Sequence, residues 1–300
     1  MGYLFLALAL LAGGTKGFCG KKTSGAIALS SDSMVMNVFR MALCVVIGFL
    51  LILAQGDVGS LLADGTFMLI ALLSGVSSAM FVVSWLLSVK SGAYMMVEVF
   101  LLIGVAVPIV PCYFLFDESI SLRQIIGIIM LFVAMYIMCT YNASIKGKMK
   151  LSEFILLLFC GVSNGLSSFS QKLFVEIRPE ASVAAFNLYT YLFAGAALVF
   201  AYIVFRGKEK NRGADIRTPA GVIKPIWGYV LVMAVCLFAN SFFQTKAAAH
   251  LDAVLLYPLS QGMAVMISLF LSSVFFKEKI NARCVAGIIL SFAALLMINL

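Results

Sequence analysis

The sequence predicts an all-α polytopic membrane protein whose ten transmembrane helices form two inverted five-helix repeats. Three observations predict it. First, 63% of the 300 residues are apolar, only 11% are charged, and mean hydropathy is +1.09. A soluble domain carries about 25% charged residues, and a disordered chain needs low hydrophobicity and high charge. Second, apolar runs near the length of about 20 residues that crosses a bilayer alternate with short polar breaks. Third, the two halves of the chain repeat one another.

The apolar runs are Gly2–Gly20, Met34–Ala54, Thr66–Val89, Ala93–Phe116, Ser121–Tyr141, Leu151–Phe174, Ser182–Phe205, Lys224–Ala249, Ala253–Phe276 and Asn281–Leu300. No β-barrel alternation is present, and helices satisfy their own backbone hydrogen bonds, as hydrocarbon demands. The first run lacks a basic leader and the second follows closely, so it reads as a helix and not as a signal peptide. The break Gln55–Gly65 carries Asp57 and Asp64, Asn142–Lys150 carries Lys146, Lys148 and Lys150, and Arg206–Lys224 is the longest and most charged connection. Ser121 and Asn281 stand where an N-cap opens a helix. The cysteines (Cys19, Cys44, Cys112, Cys139, Cys160, Cys236, Cys284) lie in or beside apolar runs without CxxC spacing. Packing, not a disulfide framework or a metal site, is their expected role.

The repeat is the strongest feature. Phe116-Asp117-Glu118-Ser119-Ile120-Ser121-Leu122-Arg123 leads into Gly127-Ile128-Ile129, and Phe276-Lys277-Glu278-Lys279-Ile280-Asn281-Ala282-Arg283 leads into Gly287-Ile288-Ile289. Phe, Glu, Ile, Arg, Gly, Ile and Ile recur at one offset, which also relates Ala93 to Ala253. Gly14, Phe18 and Lys21 correspond to Gly165, Phe169 and Lys172 at a smaller offset, the long Arg206–Lys224 connection making up the difference. Five helices per half is odd, so the second half enters the bilayer from the opposite side. Residues 1–145 and 146–300 are then inverted-topology repeats, an arrangement of many secondary transporters.

Charge sorts the connections onto two sides. One side receives Lys21, Lys22, Lys90, Lys146, Lys148, Lys150, Arg206, Lys208, Lys210, Arg212, Arg217, Lys277 and Lys279. The other receives Arg123 and Arg178, with Lys172 and Lys246 at helix ends. The positive-inside rule makes the first side cytoplasmic and puts both termini outside. The formal net charge of +8 thus reflects loop asymmetry, and no nucleic-acid partner is expected. The sequon at Asn142 falls on the cytoplasmic side and is read as silent.

These halves resemble the drug/metabolite transporter superfamily in its ten-helix, EamA-type form. The pattern Phe-x-x-Glu-x-x-x-x-x-Gly before an apolar helix carries the resemblance in both halves, from Phe114 or Phe116 to Gly127 and from Phe275 or Phe276 to Gly287. Tyr257-Pro258-Leu259 resembles the start of the family's ninth helix, and Arg40 an arginine early in its second. The resemblance implies termini inside, against the charge reading, and a cavity lined by the first, third, fourth, sixth, eighth and ninth helices.

Ionisable residues inside the bilayer are costly, about 2.5–3.5 kcal/mol near a helix centre. Lys16 stands about 7 Å of helix rise from Lys21, Arg40 about 9 Å from Met34, and Glu98 about 9 Å from Gly92. The three share one depth on three helices. One reading is a polar vestibule in which Glu98 pairs with Arg40 or Lys16 as a gate or proton-sensitive site, with excess cation suited to an anionic group such as a carboxylate. The other is that Lys16 and Arg40 snorkel to the interface. Uncharged candidates lie deeper: Asn164, then Asn240 and Gln244 one turn apart, then Tyr257 and Gln261 at the same spacing. Such groups read substrates or glue helices. Trp85 is a candidate apolar wall beside a stripe of serines at 74, 77, 78, 84 and 88. Pro108, Pro111 and Pro258 should bend their helices, and Gly13-Gly14 and Asn164-Gly165 are matching soft points.

The expectation is a secondary transporter of a small organic metabolite or drug-like compound, an amino acid or carboxylate among the options. It would work by alternating access, with proton coupling through Glu98. A scaffold or channel is the alternative. An intramembrane enzyme is less supported, because a lone His250, no paired intramembrane carboxylates and no serine elbow leave acid–base chemistry without parts. No cofactor and no metal are expected. Expected partners are the substrate and the bilayer, with the chain a multi-pass monomer or homodimer of the plasma membrane.

Overall fold

The computed structural model describes residues 1–62, 64–91, 94–107, 121–145, 149–251, 253–277 and 280–299. Its helices are α1 (Gly2–Ser24), α2 (Ser30–Gln55), α3 (Gly65–Ser91), α4 (Tyr94–Leu101), α5 (Ile103–Ala106), α6 (Leu122–Ile145), α7 (Leu151–Ile177), α8 (Val183–Asn211), α9 (Pro219–Ile223), α10 (Trp227–Ala248), α11 (Ala253–Val274) and α12 (Ala282–Asn299). Seven helices are long and apolar enough to span a bilayer, joined by the shorter apolar helices Met96–Ala106, Leu259–Val274 and Ala282–Met297. The protein is an all-α polytopic membrane protein of about ten helices.

The helices are longer than the apolar runs because polar ends continue the hydrogen-bond ladder into the headgroup zone. α1 runs on through Lys21 and Lys22 to Ser24, and α8 runs on through Arg206 to Asn211. The connection expected over Arg206–Lys224 is therefore mostly helical, with only residues 212–218 between α8 and α9. Thr218 caps α9, its Oγ1 accepting from Gly221 N at 3.2 Å. Asn281 is the expected cap of α12, its Oδ1 accepting from Cys284 N at 3.0 Å. α2 ends at Gly56, whose φ of 69° is the left-handed conformation that closes a helix at little steric cost.

At the other end of α2, Asp32 is 2% exposed, and its Oδ2 accepts from Ala28 N and Leu29 N, each at 3.0 Å. Arg217 pairs with the same oxygen at 2.5 Å, and Glu209 Oε1 accepts from Ser30 N at 3.0 Å. Asp32 and Glu209 of α8 thus neutralise the amide end of α2, where a helix dipole favours negative charge, and Arg217 holds Asp32 in place.

The fourth span breaks at Leu102, whose N–H bonds Val99 O at 3.1 Å, leaving α4 and α5 as separate pieces. The bends expected at Pro108 and Pro111, and the first Phe-to-Gly motif from Phe114 through Glu118, lie outside the described residues, as do Lys146, Lys148, Glu278 and Lys279. Asn142 is 3% exposed within α6, which keeps its sequon out of reach.

Helix packing follows a reciprocal pattern. α1 packs on α10 and α3 on α7; α3 packs on α8 and α2 on α10; α1 packs on α11, and α4 and α5 on α7. α2 packs on α8, α6 on α12, and α4 on α11. Exchanging the spans of one half for their counterparts in the other turns each pair into another of the set or into itself.

The expected soft points are instead close contacts inside unbroken helices. A Cβ on Gly14 would stand 2.8 Å from Ile267 Cγ2, and one on Gly165 would stand 2.5 Å from Val107 Cβ and 2.9 Å from Gly104 Cα. Glycine here lets backbones approach without hydrocarbon spacers, as small residues do between membrane helices.

Candidate functional site

A cavity of about 140 Å³ lies where α1, α3, α4, α7, α10 and α11 meet, with Arg40 of α2 and Tyr191 of α8 also on its wall. Lys16, Arg40, Trp85, Glu98, Asn164, Asn240, Gln244 and Gln261 all line it. Tyr257 does not. It is 3% exposed, and its hydroxyl donates to Ser168 O at 2.7 Å, which ties α11 to α7 beside the cavity.

The charged groups are a hydrogen-bonded acid and two cations that do not pair with it. Glu98 is 7% exposed and its Oε1 accepts from Trp85 Nε1 at 3.2 Å. The donor to Glu98 is thus a neutral indole from α3. On the same wall Ser268 Oγ donates to the Tyr94 hydroxyl at 3.4 Å. Lys16 Nζ lies 5.8 Å from the Phe81 ring centroid and feels the charges of Arg40 and Glu98. Among the described residues Lys16 Nζ makes no hydrogen bond and no ion pair. Arg40 is 2% exposed, so it does not snorkel. Its Nη1 donates to Asn37 Oδ1 at 2.6 Å, and its Nε is buried with no partner among the described residues.

The amides have different jobs. Asn240 Nδ2 donates to Ala9 O at 2.8 Å and so binds α10 to α1. Asn164 Nδ2 is buried on the wall and has no partner among the described residues. The α3 serines mostly turn back on their own helix: Ser77 Oγ donates to Leu73 O at 2.7 Å and Ser84 Oγ to Met80 O at 2.6 Å. Ser78 instead meets Ser167 of α7 at 3.1 Å, Oγ to Oγ.

Sequence reasoning missed several lining groups. Gln171 Nε2 donates to Ser241 Oγ at 3.1 Å, and Ser241 Oγ donates to Asn187 Oδ1 at 2.5 Å, a polar chain across α7, α10 and α8. Ser167, Ser168 and Gln171 follow Asn164 at helical spacing, so one stripe on α7 would have found them. Tyr94 precedes Glu98 by one turn and shares its face in the same way.

Aromatic rings pack at the end of the cavity toward Lys21 and Lys90. Trp85 and Tyr94 meet edge-on at 6.3 Å, Tyr94 and Phe276 at 5.6 Å, and Phe18 stacks on Phe276 at 5.8 Å. Gly20 admits this plug, since a Cβ there would stand 2.5 Å from Trp85 Cζ3.

The sequence pattern of the EamA-like transporter family matches residues 151–300, half of the chain. The chain belongs to the EamA-like transporter family. That is a family of small-molecule transporters, and membership fits a multi-pass membrane protein with a polar hollow. No curated protein matches the sequence. A solved structure titled "Crystal structure of protein" is similar with a TM-score of 0.64 at 13% identity, covering 99% of this chain and 95% of its own. That likeness concerns the fold.

Proposed function

We propose that the protein is a secondary transporter that carries a small organic compound across the plasma membrane by alternating access. Residues 1–145 and 146–300 are its two inverted halves, and the cavity between them is the site that each face reaches in turn. One observation carries this reading: contacts across the halves are reciprocal at the level of single residues. Gly14 abuts Ile267 and Gly165 abuts Val107, and the sequence repeat relates Gly14 to Gly165 and Val107 to Ile267. Gly48 abuts Leu188 with a Cβ distance of 3.1 Å and Gly195 abuts Met41 at 3.5 Å, again a pair related by one offset. Two halves joined through matching contacts have two packings of similar energy, which rocking requires.

Glu98 is the acidic residue on the wall among the described residues and is the group through which a proton gradient would act. The unit is a monomer or homodimer, and both termini lie outside by the charge of the connections. The test is uptake and efflux in proteoliposomes against amino acids, carboxylates and cationic dyes, with and without a pH gradient. Saturable flux and counterflow of one class support the reading. Unsaturable leak would point to a channel, and absence of flux for every class would overturn it.

A further inference from the structure

We infer that the cavity is a binding site for a small organic monocarboxylate with no compensating positive group, a compound about the size of benzoate. This rests on the transporter reading and narrows its substrate class. The argument has three parts. First, among the described residues the ionisable groups on the wall are Lys16, Arg40 and Glu98 together with tyrosines that are neutral at pH 7. With Glu98 ionised, the wall holds one positive charge in excess. A buried net charge is costly in a medium of low polarity. A monoanion brings the sum to zero, whereas a zwitterionic amino acid leaves the excess and an organic cation doubles it.

Second, the hydrogen bonds are already apportioned. Glu98 takes the indole N–H of Trp85. Lys16, on the cavity wall, makes no hydrogen bond and no ion pair through Nζ among the described residues, whereas the unpartnered Arg40 Nε and Asn164 Nδ2 are sealed within the wall. The charged group left without a partner is thus the Lys16 ammonium, which matches a carboxylate and not an ammonium group. Charge-assisted bonds of this kind are the strong ones.

Third, the space is small and partly aromatic. About 140 Å³ is bounded by Phe81, Trp85, Leu101 and Ile267 on its apolar parts. A dry cavity of about 150 Å³ takes up benzene, so one ring with one carboxylate is the right scale, and drug-sized sites of about 300–1,000 Å³ are larger.

The experiment is thermal stabilisation of the purified protein at low salt by benzoate, its near-isosteres benzamide and benzylamine, and leucine. Benzoate should raise Tm with concentration, and the other three should not. Lys16→Gln should weaken benzoate binding by about 10- to 100-fold, and Lys16→Arg should restore most of it. Glu98→Gln should add binding of the dianion phthalate, a charge readout that survives if a lysine variant fails to fold. Leucine or benzylamine stabilising as well as benzoate, unchanged benzoate affinity in Lys16→Gln, or no stabilisation by any of the four would overturn the inference. Counterflow in proteoliposomes separates the two claims. Benzoate binding without counterflow removes the transport reading and leaves the anion site, whereas counterflow of leucine without benzoate binding does the reverse.

Discussion

Gly165→Ala probes the seam between the halves with a magnitude that the contacts set. The new Cβ would stand 2.5 Å from Val107 Cβ and 2.9 Å from both Gly104 Cα and Gly104 O. Carbon atoms rest at about 3.5–4.0 Å, so α7 and the α4–α5 segment would have to part by about 1 Å. Two of the three obstructing atoms belong to backbone, which cannot turn aside as a side chain can. Overpacking of this kind costs about 1–3 kcal/mol. Gly14→Ala is the built-in control. Its Cβ meets Ile267 Cγ2 at 2.8 Å and nothing else closer than 3.9 Å. A change of rotamer at Ile267 relieves that contact for about 0.5–1.5 kcal/mol. Chemical unfolding of both variants in detergent, followed by the fluorescence of Trp85 and Trp227, measures the difference. The larger loss belongs to Gly165→Ala. Equal losses, or the larger loss at Gly14, would refute the claim that backbone meets backbone at this seam.

Other outcomes follow from the same geometry. Glu98→Gln keeps an oxygen to accept from Trp85 but loses its charge, so membrane abundance should hold while the effect of a pH gradient on flux disappears; retained gradient dependence would count against Glu98 as the coupling group. Asp32→Ala removes the acceptor shared by Ala28 N, Leu29 N and Arg217. Its loss should lower stability by about 1–2 kcal/mol, as for a helix cap, read as a fall in Tm, and an unchanged Tm would show that Arg217 and the α2 terminus are satisfied by water. A single cysteine at Gly213, in a background without the native cysteines, should resist an impermeant maleimide on intact cells; ready labelling would reverse the orientation.

The helices were legible because hydrocarbon imposes length and polarity on every span, so runs such as Met34–Ala54 declared α2 outright. Their true ends were not, since Lys21, Lys22 and Arg206 are polar yet remain helical where the chain leaves the apolar zone. Depth along each helix correctly grouped Lys16, Arg40 and Glu98 around one hollow, because rise per residue is fixed. Azimuth was harder. Tyr257 and Gln261 share a helical face by spacing, but only Gln261 lines the cavity, since Tyr257 reaches across to Ser168. Gly13-Gly14 and Asn164-Gly165 looked alike to flexible joints because glycine serves both flexibility and close approach. The neighbouring helix decides between them, and a single span does not reveal its neighbour.

The most direct measurement of the central claim is two-sided access to the cavity. Ser167, on the wall from α7, is replaced by cysteine in the cysteine-free background, and inside-out and right-side-out vesicles are treated with an impermeant maleimide. Alternating access predicts labelling from both faces and protection by whichever compound the transport panel identifies. Labelling from one face only, or from neither, would contradict it.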